Sequence, residues 1–115
     1  MKKLLCIDFD GVINNYTGNY NPDDLCKPRE GVELFLKSLS NNYFIYIFTS
    51  RNTLKVEQWM CKHNLIHYIS HITNIKEPAY AYIDDRAIKF NGDYDKTLTA
   101  LEKFKPHWYK KSKEI

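Results

Sequence analysis

The sequence predicts an α/β domain built on a mainly parallel sheet with helices packed on its faces. Three observations lead there. Short, continuous apolar runs alternate with segments of helical period. Three of those runs stop abruptly at Asp, Thr or Ser. At 115 residues the chain holds one domain, and 43% hydrophobic with 27% charged residues is the composition of a folded protein rather than a disordered one.

The first run, Leu4 to Phe9, ends in Asp8-Phe9-Asp10-Gly11 and suits a buried parallel strand. Asn14 to Lys27, rich in Asn, Asp, Gly and Tyr, reads as a loop. Pro28 then precedes a helix with Val32, Phe35, Leu36 and Leu39 on one face. Tyr43 to Phe48 is a second strand and runs into Thr49-Ser50-Arg51. A second helix, Thr53 to His63, carries Val56, Trp59, Met60 and His63 on one side. Tyr68 to Ile72 reads as a third strand, Ala79 to Ile83 as a fourth ending in Asp84-Asp85-Arg86, and Ile88 to Phe90 as a short fifth. Asp93 to Phe104 is the last helix, with Leu98, Leu101 and Phe104 expected to face inward. The expected domain is 1–105, followed by a basic tail, 106–115.

Composition excludes several classes. A net charge of +3 is too small to argue for nucleic acid by itself. Lys103, Lys105, Lys110, Lys111 and Lys113 crowd the C-terminus and read as a solvated tail. The three cysteines, Cys6, Cys26 and Cys61, show no metal spacing and no pairing pattern, so a reducing, cytoplasmic setting is expected. No stretch approaches membrane-spanning length, so no membrane partner is expected.

Ligands of open parallel sheets bind beyond the carboxyl ends of the strands. Asp8, Asp10, Thr49, Ser50, Asp84 and Asp85 are therefore expected to converge at one edge. Several carboxylates so placed repel one another unless a cation joins them. The candidate ligands are all hard oxygens, which favours Mg²⁺. Carboxylates around Mg²⁺ suit phosphoryl transfer, which needs a nucleophile, a cation, oriented donors and an acid for the leaving oxygen. Asp8 is the candidate nucleophile through an aspartyl-phosphate, and Asp10 the candidate acid and base. Gly11 permits a turn that a side chain would obstruct. Thr49 offers a hydroxyl and Lys76 a positive charge to phosphoryl oxygens. Gly11, Ser50, Arg51 and Arg86 are candidate substrate contacts, though either arginine could instead brace the carboxylates.

These residues, in order, resemble the haloacid dehalogenase-like (HAD) superfamily. Its D-x-D-G-[TV] motif stands as Asp8-Phe9-Asp10-Gly11-Val12. Its hydrophobic strand ending in Thr or Ser is Phe44 to Phe48 with Thr49. Its lysine is Lys76, with Glu77 before Pro78, and Lys89 is the substitute candidate. Its acidic pair is Asp84-Asp85 after Tyr82-Ile83. The resemblance implies a three-layer Rossmann-like core with no cap domain. It also implies a nucleophilic, Mg²⁺-binding Asp8, and an Asp10 that binds through its backbone carbonyl and serves as acid and base. Thr49 and Lys76 would hold the phosphoryl oxygens, and Asp85, with Asp84, would complete the metal site. The acidic Asp10 favours phosphatases over dehalogenases. A capless member leaves its site open to a large phosphorylated substrate, or to a small one under a homo-oligomeric partner that covers the site. The expected function is thus a Mg²⁺-dependent phosphomonoester hydrolase. The alternatives are a catalytically silent binding or regulatory module and a polynucleotide 3′-phosphatase, nucleic acid not being the favoured partner. A receiver domain of the response-regulator type is disfavoured because no Asp lies between Ser50 and Lys76.

Overall fold

The computed structural model describes residues 1–109. Four strands form one parallel sheet: β1 (Lys3–Asp8), β2 (Tyr43–Phe48), β3 (His71–Thr73) and β4 (Ala81–Ile83), in the order β3-β2-β1-β4. The helices are α1 (Val32–Ser40), α2 (Thr53–Lys62) and α3 (Tyr94–Lys103), with a single 3₁₀ turn at Ile66–Tyr68. The fold is α/β and compatible with a Rossmann-like arrangement.

Alternation along the two central strands decides where the core lies. Leu5, Ile7 and Phe9 of β1 and its end share one face with Ile45 and Ile47 of β2, and all five are buried. Val32 and Leu36 of α1 and Val56, Trp59 and Met60 of α2 close over that face as one apolar cluster. Trp59 stands edge-on to Phe9 at 5.0 Å and donates its indole N–H to the Cys26 carbonyl at 2.9 Å, which ties the long loop after β1 to α2. The opposite face carries Phe44, Tyr46 and Phe48 of β2, none of them fully buried. There the connection into β4 folds back, and the Tyr82 hydroxyl donates to the Glu77 carbonyl at 2.6 Å.

Several expectations change. Pro28 does not start α1; it forms an isolated antiparallel bridge with Asn14, and α1 begins after Gly31, whose φ of 86° is a left-handed turn. Phe35 is turned outward and is 38% exposed, so Val32 and Leu36 alone of that predicted stripe are fully buried. The third strand begins only at His71, because Tyr68 closes the 3₁₀ turn. Ile88–Phe90 is not a strand. Helix α3 forms where predicted, with Asp93 capping it through a bond from the Lys96 N–H at 3.0 Å. Its expected inward face is not buried: Leu98 and Leu101 are each 60% exposed, and only Phe104 beyond the helix is partly covered. Periodicity marks a face able to bury, whereas burial needs a surface opposite it, and α3 supplies no buried side chain to a second helical layer. The tail is not wholly solvated either. His107 and Trp108 fold back against the start of the loop after β1, while Lys110, Lys111 and Lys113 lie outside the described residues. Among the described residues no helix is long and apolar enough to cross a membrane.

Candidate active site

The register of the sheet builds the site. Asp8 is the last residue of β1, paired with Phe48 of β2, and Ile7 pairs with Ile83 of β4. The residues just past β2 and β4 therefore surface beside Asp8 at the carboxyl edge. Asp8, Asp84 and Asp85 each bring one carboxylate oxygen to within 4.8 Å of the others. Asp8, Ser50, Asp84 and Arg86 line a cleft of about 390 Å³ with Phe48 at its wall. These four, with Asp85, are the predicted residues that the fold gathers most closely.

The electrostatics of the cluster fall on Asp8. Burial comes first, then hydrogen bonding to Asp85 and repulsion from Asp84, Asp85 and Asp10, and together they push its carboxyl up to about 8. One oxygen of Asp85, Oδ1, is buried with no hydrogen-bond partner among the described residues, an arrangement that carries an energetic cost unless something meets it. The three carboxylates are hard oxygen donors, one of them with an unpartnered buried oxygen, and are the residues that could hold a cation.

Asp10 is placed differently. Its carboxylate is turned to Arg51, whose Nε donates to Oδ1 at 2.9 Å and Oδ2 at 3.0 Å, and it also accepts from Asn14 Nδ2 at 2.9 Å. Arg51 is 3% exposed, donates through Nη1 to the Asn21 carbonyl at 2.8 Å and lies under the Tyr20 ring at 4.6 Å. Of the two uses open to Arg51 from sequence, bracing a carboxylate is the one its contacts serve. Its Nη2 is buried and unpartnered among the described residues. Thr49 is buried, and its hydroxyl oxygen accepts from the Arg51 N–H at 3.0 Å, so Ser50 rather than Thr49 faces the cleft. Gly11 has φ of 83°, and its N–H is already donated to Asn14 Oδ1 at 2.9 Å. Lys76 is not at the cleft. Its ammonium lies over the Tyr82 ring at 4.7 Å, in a neighbouring cavity of about 250 Å³ lined also by Cys6, Phe48, Asp84 and Ala87. Arg86 is therefore the predicted cation that lines the cleft itself, where its own N–H caps Asp84 Oδ1 at 2.8 Å.

Sequence reading assigned no role to Asn14 or Asn74, yet each holds the site together. Asn14 is fully buried; it accepts from the N–H of Gly11 and of Tyr16, and it donates to Asp10 and to the Leu25 carbonyl. Asn74 donates to the Thr49 carbonyl at 2.5 Å and to the Arg51 carbonyl at 2.9 Å, locking the end of β2 to the end of β3. For Asn74 the available signal was position, since it directly follows the end of β3, where loose backbone groups must find partners; Asn14 lies six residues past β1 and carried no such signal.

No protein-family model, no curated protein and no solved structure matches this chain.

Proposed function

We propose that this chain is a capless HAD-like phosphatase that hydrolyses a phosphomonoester through an aspartyl-phosphate on Asp8. The observation that carries this reading is the meeting of Asp8, Asp84 and Asp85 at one strand edge, 76 or more positions after Asp8 for the latter two, with Asp8 pushed up to about 8 by burial first and then by its carboxylate neighbours. Mutual repulsion of this kind persists in a fold when a cation or a reaction makes use of it.

The carboxyls of Asp8, Asp84 and Asp85, with the backbone carbonyl of Asp10, would hold the Mg²⁺. When bound, it supplies positive charge that offsets the carboxylates and the oxygens of a phosphoryl group. The chain's own residues do the rest. An Asp8 carboxylate oxygen attacks phosphorus, the ester P–O bond breaks, and the leaving oxygen takes a proton from Asp10. Water then attacks the phosphorus of the aspartyl-phosphate and gives its proton to Asp10, so phosphate leaves and the Asp8 carboxylate returns. Arg51 and Asn14 hold the Asp10 carboxylate, and Asp10 turns from Arg51 to the leaving oxygen for these proton transfers. The Ser50 hydroxyl and the Arg86 guanidinium serve the phosphoryl oxygens from the cleft wall.

Turnover of p-nitrophenyl phosphate tests the reading. Activity should require Mg²⁺, disappear on chelation and fall to background in Asp8→Asn. Activity that survives Asp8→Asn would move the nucleophile to another residue. A panel of sugar phosphates, nucleotides, phosphopeptides and 3′-phosphorylated oligonucleotides then identifies the ester.

A further inference from the structure

After α3 the chain turns back, with the Tyr109 N–H donating to the Pro106 carbonyl at 3.0 Å. This places two side chains over the carboxyl edge of the sheet. His107 Nε2 sits 2.5 Å from the Gly11 carbonyl, across 96 positions of sequence. The Trp108 indole N–H donates to Asp85 Oδ2, and its ring stands edge-on to Tyr16 at 5.3 Å and 80°. Gly11 makes room for the contact. A Cβ at that position would lie 2.8 Å from Trp108 Nε1 and would collide with the Asp85 carboxylate. Asp85 and Trp108 thus meet directly over Gly11 at the start of the loop after β1.

We propose that Trp108 is a positioning residue for Asp85: by holding Oδ2, its indole N–H aims the unpartnered Oδ1 at the cation. The χ2 torsion of an aspartate is broad and roughly two-fold, so a free Asp85 would sample many orientations of its two oxygens. A donor fixed on one oxygen fixes the other. Indole suits the task because it only donates and does not itself ligate the ion in competition with the carboxylate. Groups of this kind, one bond removed from a ligand, commonly alter metal affinity 10- to 100-fold when lost. The inference rests on the cation site of the proposed function, and its test separates the two.

The test is calorimetric titration of the full chain with Mg²⁺, and with Mn²⁺ as a second probe. The wild-type chain should bind one ion. Trp108→Phe, which keeps a ring against Tyr16, should bind it about 10-fold or more weakly, with the melting temperature of the metal-free protein little changed. Site-specific 3-benzothienylalanine at position 108 replaces the N–H with sulfur at nearly constant shape; it should repeat the loss even if the phenylalanine variant folds poorly. In an Asp85→Asn background, Trp108→Phe should weaken binding no further, because its effect passes through that carboxylate. Unchanged affinity in the single variants overturns the role of Trp108 while leaving the cation site standing. Tighter binding also overturns it and makes the segment a plug over the site. An equal loss in the Asp85→Asn background overturns it in favour of general packing. No binding by the wild-type chain removes the cation site and this inference with it.

Discussion

A carboxyl at the end of a buried strand, facing two others, can settle in two ways: it keeps a proton or it meets a cation. Asp8 makes the first choice visible. In an unfolded chain its value is near 3.8, and in the fold burial and neighbouring carboxylates push it up to about 8. Between those values the native state holds a proton that the unfolded state has released. The contribution of Asp8 to stability is therefore fully present below about pH 4 and declines as pH rises, until the native carboxyl has ionised near pH 8. In the presence of a chelator, the melting temperature should fall between about pH 4 and pH 8. Asp8→Asn, which cannot ionise, should flatten that fall, and Mg²⁺ should reverse it by mass action on the folded state. Differential scanning fluorimetry across the pH series reads all three. A melting temperature that rises over this window, or an equal slope in Asp8→Asn, would show that the carboxylates do not confront one another as described. Asp8, Asp84 and Asp85 were legible in sequence because each ends or follows a short apolar run. Trp108 and Asn14 were not, because what each does depends on a partner that the linear order does not bring near: the Trp108 contact to Asp85 spans 23 positions and that of Asn14 to the Leu25 carbonyl spans 11.

At the scale of single elements, local signals succeeded where the chain's own neighbours decide the outcome. Helix α2 begins after Asn52, whose side-chain oxygen accepts from the Lys55 N–H at 3.1 Å and so satisfies one of the first-turn donors. That helix carries Val56, Trp59 and Met60 into the core, and its start follows directly on Arg51, the partner of Asp10. Removing the cap should loosen both. Asn52→Ala should cost about 1 kcal/mol in urea unfolding, while Asn52→Asp, which keeps an acceptor, should cost less. Equal losses in the two variants would mean that the side-chain bond does not hold the helix end. Local signals failed at Pro28 for a related reason. A proline before a helical stripe fits a helix start, but the carbonyl of Lys27 accepts from the Asn15 N–H at 2.8 Å, and this pairing across the loop after β1 keeps Pro28 in extended backbone. The helix then waits for Gly31 to turn the chain.

Over the whole molecule, the parallel order β3-β2-β1-β4 sets strand ends together and also decides which side of the sheet is covered. Helices α1 and α2 both bury side chains against the same face, and they and the two central strands supply most of the apolar cluster, with Ile13 and Leu65 from the adjoining loops. The α/β class and the meeting of Asp8, Asp84 and Asp85 at the strand ends were readable in sequence because alternating runs and their polar stops are local features. The one-sided distribution of burial was not, since an amphipathic period in α3 looks the same whether or not a surface stands opposite it. This difference gives a measurable contrast between two leucines on helices of similar length. Leu36 in α1 is fully buried, so Leu36→Ala should remove about 2–5 kcal/mol of unfolding free energy through lost burial and a residual cavity. Leu98 in α3 is 60% exposed, so Leu98→Ala should stay within about 0.5 kcal/mol. Chemical denaturation of the two variants under identical conditions compares them directly. A Leu98 loss as large as that of Leu36 would mean that α3 packs an apolar face against the molecule in solution, and the one-sided core would then have to give way to a sheet covered on both sides.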